Sequence, residues 1–194
     1  MKRIFDIISS LLGLIVLSPL LIILAFWVGL SSKGGVFYSQ TRVGRGNKDF
    51  KVLKFRSMAL GSDQKGLLSI GKDGRDPRVT RVGYVLRRYK LDELPQLLNV
   101  LKGDMSLVGP RPEVRKYVNL YNKAQLEVLK VRPGITDMAS IAFKNENDLL
   151  AKADNPEEFY VKVIMPDKIN MSLKYLNERS FLKDLHIIFK TILG

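Results

Sequence analysis

No position from Ile7 to Ser32 carries a charge, and the run IISSLLGLIVLSPLLIILAFWVGL is apolar almost throughout. A bilayer span needs about 20 such residues, whereas the apolar region of a secretory signal has roughly 7–15. No small-x-small cleavage site follows, so the pattern predicts a membrane segment. Ser18-Pro19 interrupts it near the middle. Proline removes a backbone donor and crowds the preceding turn, so it kinks or breaks a helix. Two geometries follow. One is a kinked span, which length alone favours. The other is a re-entrant helix–break–helix over residues 1–32, whose arms of about 12 residues reach roughly 18 Å, short of the ~30 Å hydrocarbon core. Ser18 is placed to bond a carbonyl that Pro19 leaves free.

Beyond Lys33 the period changes. Val36–Tyr38 and Phe50–Phe55 are rich in β-formers, with turn chemistry in Gly44-Arg45-Gly46-Asn47 between them, and predict a small β-hairpin. Alternation puts Leu53 and Phe55 on one face, suited to a core, and Lys54 on the other, suited to a site or solvent. Residues 60–76 are rich in Gly, Ser, Asp and Lys and read as a surface loop. Leu94, Leu97, Leu98 and Leu101 recur at helical spacing, with Asp92 as candidate N-cap, Pro95 in the first turn and Gly103 past the end. Near the C-terminus, Phe181, Leu185, Ile188, Phe189 and Ile192 form a helical stripe, with Lys183, Asp184 and Lys190 off it. That stripe suits a core helix or an amphipathic interfacial helix. The fold class is helix-rich α+β: a membrane segment over 1–32, then one domain over 33–194.

Charge narrows the chemistry. The 194 residues carry 32 Lys and Arg against 19 Asp and Glu, a net charge of +13. Between Lys33 and Lys90 stand 15 Lys and Arg against 4 Asp and Glu, a surplus of 11. Such a patch calls for an anionic partner: nucleic acid, an anionic membrane surface or a phosphorylated substrate. Aromatics are not interleaved through the basic stretch, and no nucleic-acid module is present, which argues against nucleic acid. The chain has no Cys, and its one His, His186, sits in an amphipathic stretch, which excludes thiolate and multi-His metal sites.

Within the patch, Asp92-Glu93 follows Arg87, Arg88 and Lys90. Capping explains an acid at a helix start. A carboxylate among cations is equally a nucleophile or a Mg2+ ligand, and a helix start favours its ionised form. Arg111 lies between Pro110 and Pro112, and Arg132 precedes Pro133-Gly134. An arginine presented from a stiff segment loses less entropy on gripping a phosphate. Two function classes remain: an enzyme acting on a phosphorylated substrate, and a membrane-anchored basic binding protein without catalysis.

The stretches FYSQTRVG, KFRSM, DPRVTRVG, LRRYKLDELPQLLNVLKGDMSLVGPRP and VRPGIT together resemble the bacterial sugar transferases, specifically the monotopic polyprenyl-phosphate phosphoglycosyl transferases. The resemblance runs from the apolar N-terminus to about Thr136 and is to the minimal catalytic form, without additional N-terminal spans. It implies transfer of a sugar-1-phosphate from a UDP-sugar to undecaprenyl phosphate, with release of UMP, as the first step of lipid-linked glycan assembly. By the same resemblance Asp92 attacks the β-phosphate to form a covalent phospho-sugar, and Mg2+ sits by Asp92 and Glu93. Lys54, Arg87, Arg111 and Arg132 match positions around the substrate phosphates. Ser18-Pro19 matches the break of a re-entrant helix with both ends cytoplasmic, at the bacterial inner membrane, which reverses the preference for a span. After RPGIT the chain departs from the common Gly plus Trp-Gln or Ala-Gln continuation and reads Asp137-Met138-Ala139-Ser140-Ile141. The resemblance therefore carries no sugar specificity, and it leaves the oligomeric state open.

Overall fold

The computed structural model describes residues 1–62, 66, 68, 70 and 76–193. Most of the loop expected over 60–76 lies outside the described residues.

Helices α1 (Lys2–Val16) and α2 (Ser18–Ser31) meet at Leu17 with a 65° bend. The cause is local. Pro19 has no N–H to give to the carbonyl of Ile15, and Ser18 Oγ donates to that oxygen instead, at 2.8 Å. This is the bond anticipated for Ser18. No single helix among the described residues is long and apolar enough to cross a membrane, although the bent pair together has the length and composition.

The packing of α1 inverts the usual rule. Its buried residues are Asp6 and Ser10, while Ile4, Ile8, Leu11, Leu12, Ile15 and Val16 face outward. Asp6 accepts from Ser106 Oγ at 2.8 Å and from the Leu107 N–H at 3.2 Å. Arg3 donates to the Val100 and Leu101 carbonyls at 2.7 and 3.1 Å. Those carbonyls belong to the last turn of α4 (Gln96–Lys102), where helix geometry leaves carbonyls short of partners and the Gly103 N–H reaches only Asn99 and Val100. Lys2 pairs with the buried Asp184 at 2.6 Å. The other end of the pair is held by apolar contact: Leu24 and Val28 of α2 share a buried cluster with Phe55, Val82 and Leu86.

The hairpin pairs β1 (Phe37–Val43) with β2 (Asp49–Phe55), antiparallel, from Phe37 opposite Phe55 to Val43 opposite Asp49. The first strand is longer than the apolar residues suggested, because its alternation is polar. Tyr38, Gln40 and Arg42 share a face with Lys54 and Val52. The one-faced core expected of β2 needs correction: Phe55 is buried, but so is Val52 on the Lys54 face, packed with Val100 and Met105. Both faces of the strand are covered.

Helix α3 (Arg81–Arg88) is capped by Thr80, whose side chain accepts from the Gly83 N–H at 2.9 Å. Gly83 is required by closeness, since a Cβ there would lie 1.9 Å from the Ser57 carbonyl oxygen. That contact fixes the approach of α3 to β2. After Lys90, in the left-handed region at φ 54°, a single 3-10 turn spans Leu91–Glu93. Asp92 is therefore not the N-cap of the leucine helix: α4 starts later, with Pro95 at its cap position and no side-chain cap. Gly103 ends α4 at φ 96°, as anticipated. The leucine stripe is only partly covered, while Gln96, Asn99 and Val100 are buried.

Strand β3 (Ser106–Val108) runs parallel to β4 (Gly134–Thr136) in a second two-stranded sheet. Between them lie the Pro110–Pro112 segment, α5 (Arg115–Val118) and a 3-10 turn over Gln125–Lys130. The C-terminal part comprises α6 (Met138–Ala142), α7 (Glu146–Lys152), α8 (Pro156–Phe159), a π turn over Tyr160–Ile164, α9 (Met165–Glu178) and α10 (Phe181–Leu193). Tyr117, Val128, Leu150, Tyr160, Ile164 and Ile169 form its core. In α10 the stripe read from the sequence faces outward at Phe181, Phe189 and Ile192, whereas Ile187 and the charged Asp184 are buried. A core role for that stripe is corrected. Asp184 is drawn inside by Lys2 and by the hydroxyl of Tyr175, which donates to it at 2.5 Å.

The anchoring role of Asp6 makes a stability forecast. Asp6→Ala leaves the Ser106 hydroxyl and Leu107 amide without an acceptor, at a cost of about 1–3 kcal/mol. Thermal unfolding in detergent should fall by several degrees, while Leu12→Ala on the outward face should stay within about 0.5 kcal/mol of wild type. Equal losses for the two would disprove the anchor.

Candidate active site

The hairpin face bearing Lys54, the last turn of α3, the Leu91–Glu93 turn and the Pro110–Pro112 segment converge on the acidic pair. Its members are held very differently. Glu93 is a hub: Oε1 accepts from Lys54 Nζ at 2.8 Å and Arg111 Nη2 at 2.5 Å, and Oε2 accepts from Arg111 Nη1 at 3.3 Å. Asp92 is 8% exposed, and among the described residues its carboxylate has no hydrogen-bond partner. It lines two cavities, of about 320 and 150 Å³. Arg42, Lys54 and Arg87 line both cavities with it.

Burial and charge set the protonation of the group. Burial pushes the Asp92 carboxyl up, against the opposing pull of Lys54. Burial alone would also raise Glu93, but Arg111 and Lys54 outweigh it and hold its carboxyl well below the usual carboxylate range. Burial lowers the Lys54 ammonium, against the attraction of Glu93. Asp92 is thus a carboxylate with no hydrogen bond in a wall of cations, and burial, rather than a helix start, governs its ionisation.

The structure brings Lys54, Arg87, Asp92, Glu93 and Arg111 to one cavity. It does not bring Arg132 there. Arg132 Nε donates to the Gly103 carbonyl at 2.7 Å, at the end of α4, and lines neither cavity. Arg111 lines the larger cavity and spends two of its donors on Glu93.

Several side chains that line the larger cavity were not singled out by the sequence. Glu113 accepts from Arg42 Nη1 at 2.9 Å and from the Tyr160 hydroxyl, and so ties the hairpin to the π turn. Burial, with Glu113 adding to it, pushes the Tyr160 phenol up, so it stays a donor. Asp137 accepts from the Arg111 N–H at 3.2 Å and from the Ser140 N–H at 2.7 Å. Glu146 and Lys168 pair at 2.7 Å. Glu113 and Asp137 directly follow PRP and RPGIT, a signal that was available, and the alternation of FYSQTRV pointed to Arg42. Tyr160 depends on the π turn, for which the sequence has no cue.

Among the described residues no group of three or more acidic or His side chains would cage a metal ion. Asp92 remains as one available carboxylate, which suits an ion that takes one or two carboxylates plus substrate phosphates. The Glu93 oxygens are already occupied.

The sequence profile of the bacterial sugar transferases matches residues 1–194. The chain belongs to the bacterial sugar transferase family. The match continues past Thr136, through the C-terminal helices that supply Tyr160 and Lys168. This family member is 41% identical to the UDP-N-acetylgalactosamine-undecaprenyl-phosphate N-acetylgalactosaminephosphotransferase of Aeromonas hydrophila, over 98% of this chain and 42% of that protein. It is 40% identical to the UDP-glucose:undecaprenyl-phosphate glucose-1-phosphate transferase of Escherichia coli K12, over 99% of this chain and 39% of that protein. Exopolysaccharide production protein ExoY of Rhizobium meliloti is 36% identical, over 98% and 83%. The chain spans less than half of the first two relatives and most of the third. The names of the first two specify different sugars at nearly equal identity, so overall similarity does not choose between them.

The opposite treatment of the two acids gives opposite stability effects. The raised Asp92 carboxyl means that its ionised form weakens the fold above the usual carboxylate range. Asp92→Asn should melt higher than wild type at about pH 7, and the gap should close as pH falls towards about 4. Glu93, held low, contributes stability that is complete above its ordinary value of 4.5 and lost as pH falls below it. Glu93→Gln removes the counter-charge of Lys54 and of the more exposed Arg111, and charge-assisted bonds contribute about 1.5–3 kcal/mol, so this variant should melt lower at about pH 7. Shifts of the same sign in the two variants would refute this division.

Proposed function

We propose that the chain transfers a sugar-1-phosphate from a UDP-sugar to undecaprenyl phosphate, with Asp92 as covalent nucleophile. The observation that carries this is the Asp92 carboxylate, without a hydrogen bond at the junction of two cation-lined cavities, beside a Glu93 fixed by two cations. Phosphoryl transfer requires in-line positioning and neutralised oxygens more than acid–base machinery.

In the first half-reaction an Asp92 oxygen bonds to the β-phosphorus. The bond from that phosphorus to the bridging oxygen breaks, and UMP leaves with the electron pair. In the second, an oxygen of the lipid phosphate attacks the same phosphorus, the aspartyl O–P bond breaks, and the carboxylate is restored. Lys54 and Arg87 face the phosphates from both cavities, and Arg111 adds charge from the larger one. Glu93 positions Lys54 and Arg111. Asp92, with Glu93 beside it, would hold Mg2+, which would supply charge neutralisation at the transferred phosphate. Loading of the lipid in this way would initiate assembly of a lipid-linked glycan.

The acceptor resides in the bilayer and the nucleotide donor in the cytoplasm. We assign residues 1–32 to a re-entrant hairpin at the cytoplasmic face of the bacterial inner membrane, and 33–194 to the catalytic unit. Support comes from the fastening of both ends to one folded body: Lys2, Arg3 and Asp6 through polar bonds, Leu24 and Val28 through the Phe55 cluster. Outward apolar residues on α1 and α10 give the surface lipid to meet.

Two tests address this reading. Asn lacks the attacking oxygen, so Asp92→Asn should lose roughly 10⁴-fold or more in UMP release while remaining folded. Wild type given UDP-sugar and Mg2+ without lipid acceptor should release about one UMP per site and gain a phospho-sugar on the peptide carrying Asp92. An active Asp92→Asn enzyme, or an adduct mapped elsewhere, would refute the assignment. For topology, the chain has no native Cys, so Lys2→Cys and Lys33→Cys report cleanly. Both should react with an impermeant maleimide only from the cytoplasmic side, and labelling of the first from the periplasm would establish a span instead.

A further inference from the structure

The two cavities differ in what surrounds them. The smaller takes Tyr38, Phe55 and Arg56 into its wall, and Phe55 belongs to the buried cluster that holds Leu24 and Val28 of the membrane hairpin. The larger has no described lining residue before Arg42 and draws much of its wall from the C-terminal elements, including Ser140, Glu146 and Lys168. At about 320 Å³ it falls within the ~300–1,000 Å³ usual for small-molecule sites.

A double displacement makes unequal demands on two such spaces. Each attack is in line, opposite the group that leaves. UMP departs from the side of phosphorus opposite Asp92, and the lipid phosphate attacks Asp92-bound phosphorus from that same side. The leaving and entering phosphates therefore share one subsite in succession. The sugar remains on phosphorus throughout and needs a subsite of its own. Of the two, the smaller is the one whose described lining includes a member of the cluster tied to the membrane hairpin, Phe55, so it is the one assigned to the lipid phosphate.

Resting on the transferase reading above, we propose that the larger cavity holds the donor's sugar through both half-reactions, and that Glu146 and Lys168, with Ser140, form its specificity-determining wall. The smaller cavity then takes the departing and arriving phosphates. Glu146 on α7 and Lys168 on α9 pair at 2.7 Å with side chains 24% and 16% exposed. Neither contacts Asp92, Glu93 or Arg111 by a hydrogen bond or ion pair among the described residues. Lys168 Nζ also lies 5.6 Å from the centre of the Tyr160 ring. Carboxylate and ammonium together accept from and donate to neighbouring sugar hydroxyls, and charge-assisted bonds are the stronger kind. Ser140 Oγ is buried, belongs to a residue of the same lining and has no partner among the described residues, a condition that a ligand hydroxyl or acetamido group would relieve. A site built to bond a substrate hydroxyl discriminates far more strongly than one built on shape, because a missing partner leaves polar groups unpaired.

The test compares UMP release from UDP-glucose, UDP-galactose, UDP-N-acetylglucosamine, UDP-N-acetylgalactosamine and a UDP-linked 6-deoxy-diamino sugar. Lys168→Met, Glu146→Gln and Ser140→Ala are each set against wild type. The ratios of kcat/KM between sugars should change by about 10-fold or more in the first two. Inhibition by UDP, which carries no sugar, and KM for the lipid phosphate should change by less than about 3-fold. Ser140→Ala removes only an unpartnered hydroxyl, so it reports on the same wall should either charge variant melt below the assay temperature. Unchanged ratios in folded variants, or UDP inhibition weakened as much as turnover, would overturn the sugar assignment and leave the transferase reading standing. No UMP from wild type with any donor would overturn both.

Discussion

Everything at the centre of this molecule turns on the Glu93 carboxylate held between Lys54 and Arg111. The three groups come from β2, the turn before α4 and the Pro110–Pro112 segment, which are distant in sequence and otherwise joined by few polar bonds. Withdrawing Glu93 and Lys54 from most of their water is costly, and their mutual attraction, with that of the 36% exposed Arg111, offsets it. Such an arrangement is a poor source of net stability and a good source of position. It also consumes the anionic capacity of Glu93, so Lys54 and Arg111 are set in place before any substrate arrives. Asp92, one residue earlier, faces the same cations without bonding to them. The difference between adjacent acids is one of direction, and the left-handed Lys90 with the single 3-10 turn supplies it.

The N-terminal helices obey a second constraint that acts on the same site. With its polar residues inside and its apolar residues outside, α1 would be unstable against water and is suited to lipid. Asp6 and Arg3 bond the backbone of β3 and α4, and α4 follows directly from the turn that carries Asp92. At the other end, Phe55 lies one residue from Lys54 and in one cluster with α2. The hairpin is therefore coupled to both sides of the site through a few covalent and packing steps. A break at Pro19 with Ser18 bonding Ile15 sets the angle that permits both attachments at once.

Legibility in the sequence followed the range of the interactions. The apolar run, its break, the hairpin turn and the glycine end of α4 are local, and each has a chemical signature within a few residues. The reading failed where a distant partner decided the outcome. Asp92 reads as a cap until the turn at Leu91–Glu93 separates it from α4. Asp184 reads as a solvent-facing charge until Lys2 and Tyr175 draw it inside, which turns the apolar stripe of α10 outward. Val52 reads as sharing an open face with Lys54 until α4 covers it. Arg132 resembles Arg111 in setting, each next to proline, yet one meets the end of α4 and the other meets Glu93. No periodicity separates those fates.

The polar alternation of β1 shows how the two scales meet. Tyr38, Gln40 and Arg42 point inward because their strand pairs with β2 in a register that places Tyr38 opposite Lys54. A polar strand face turned inward is costly unless something polar fills the space it borders. Part of the filling is protein: Arg42 bonds Gln40 and Glu113, and Glu113 bonds Tyr160. The remainder is cavity, whose described lining carries more cations than acids. An anionic ligand resolves that imbalance where further protein would not, because it arrives with its own negative charge and leaves with it. Excess positive charge inside the fold is tolerable where water can reach it, and a phosphate in place of that water would make it favourable.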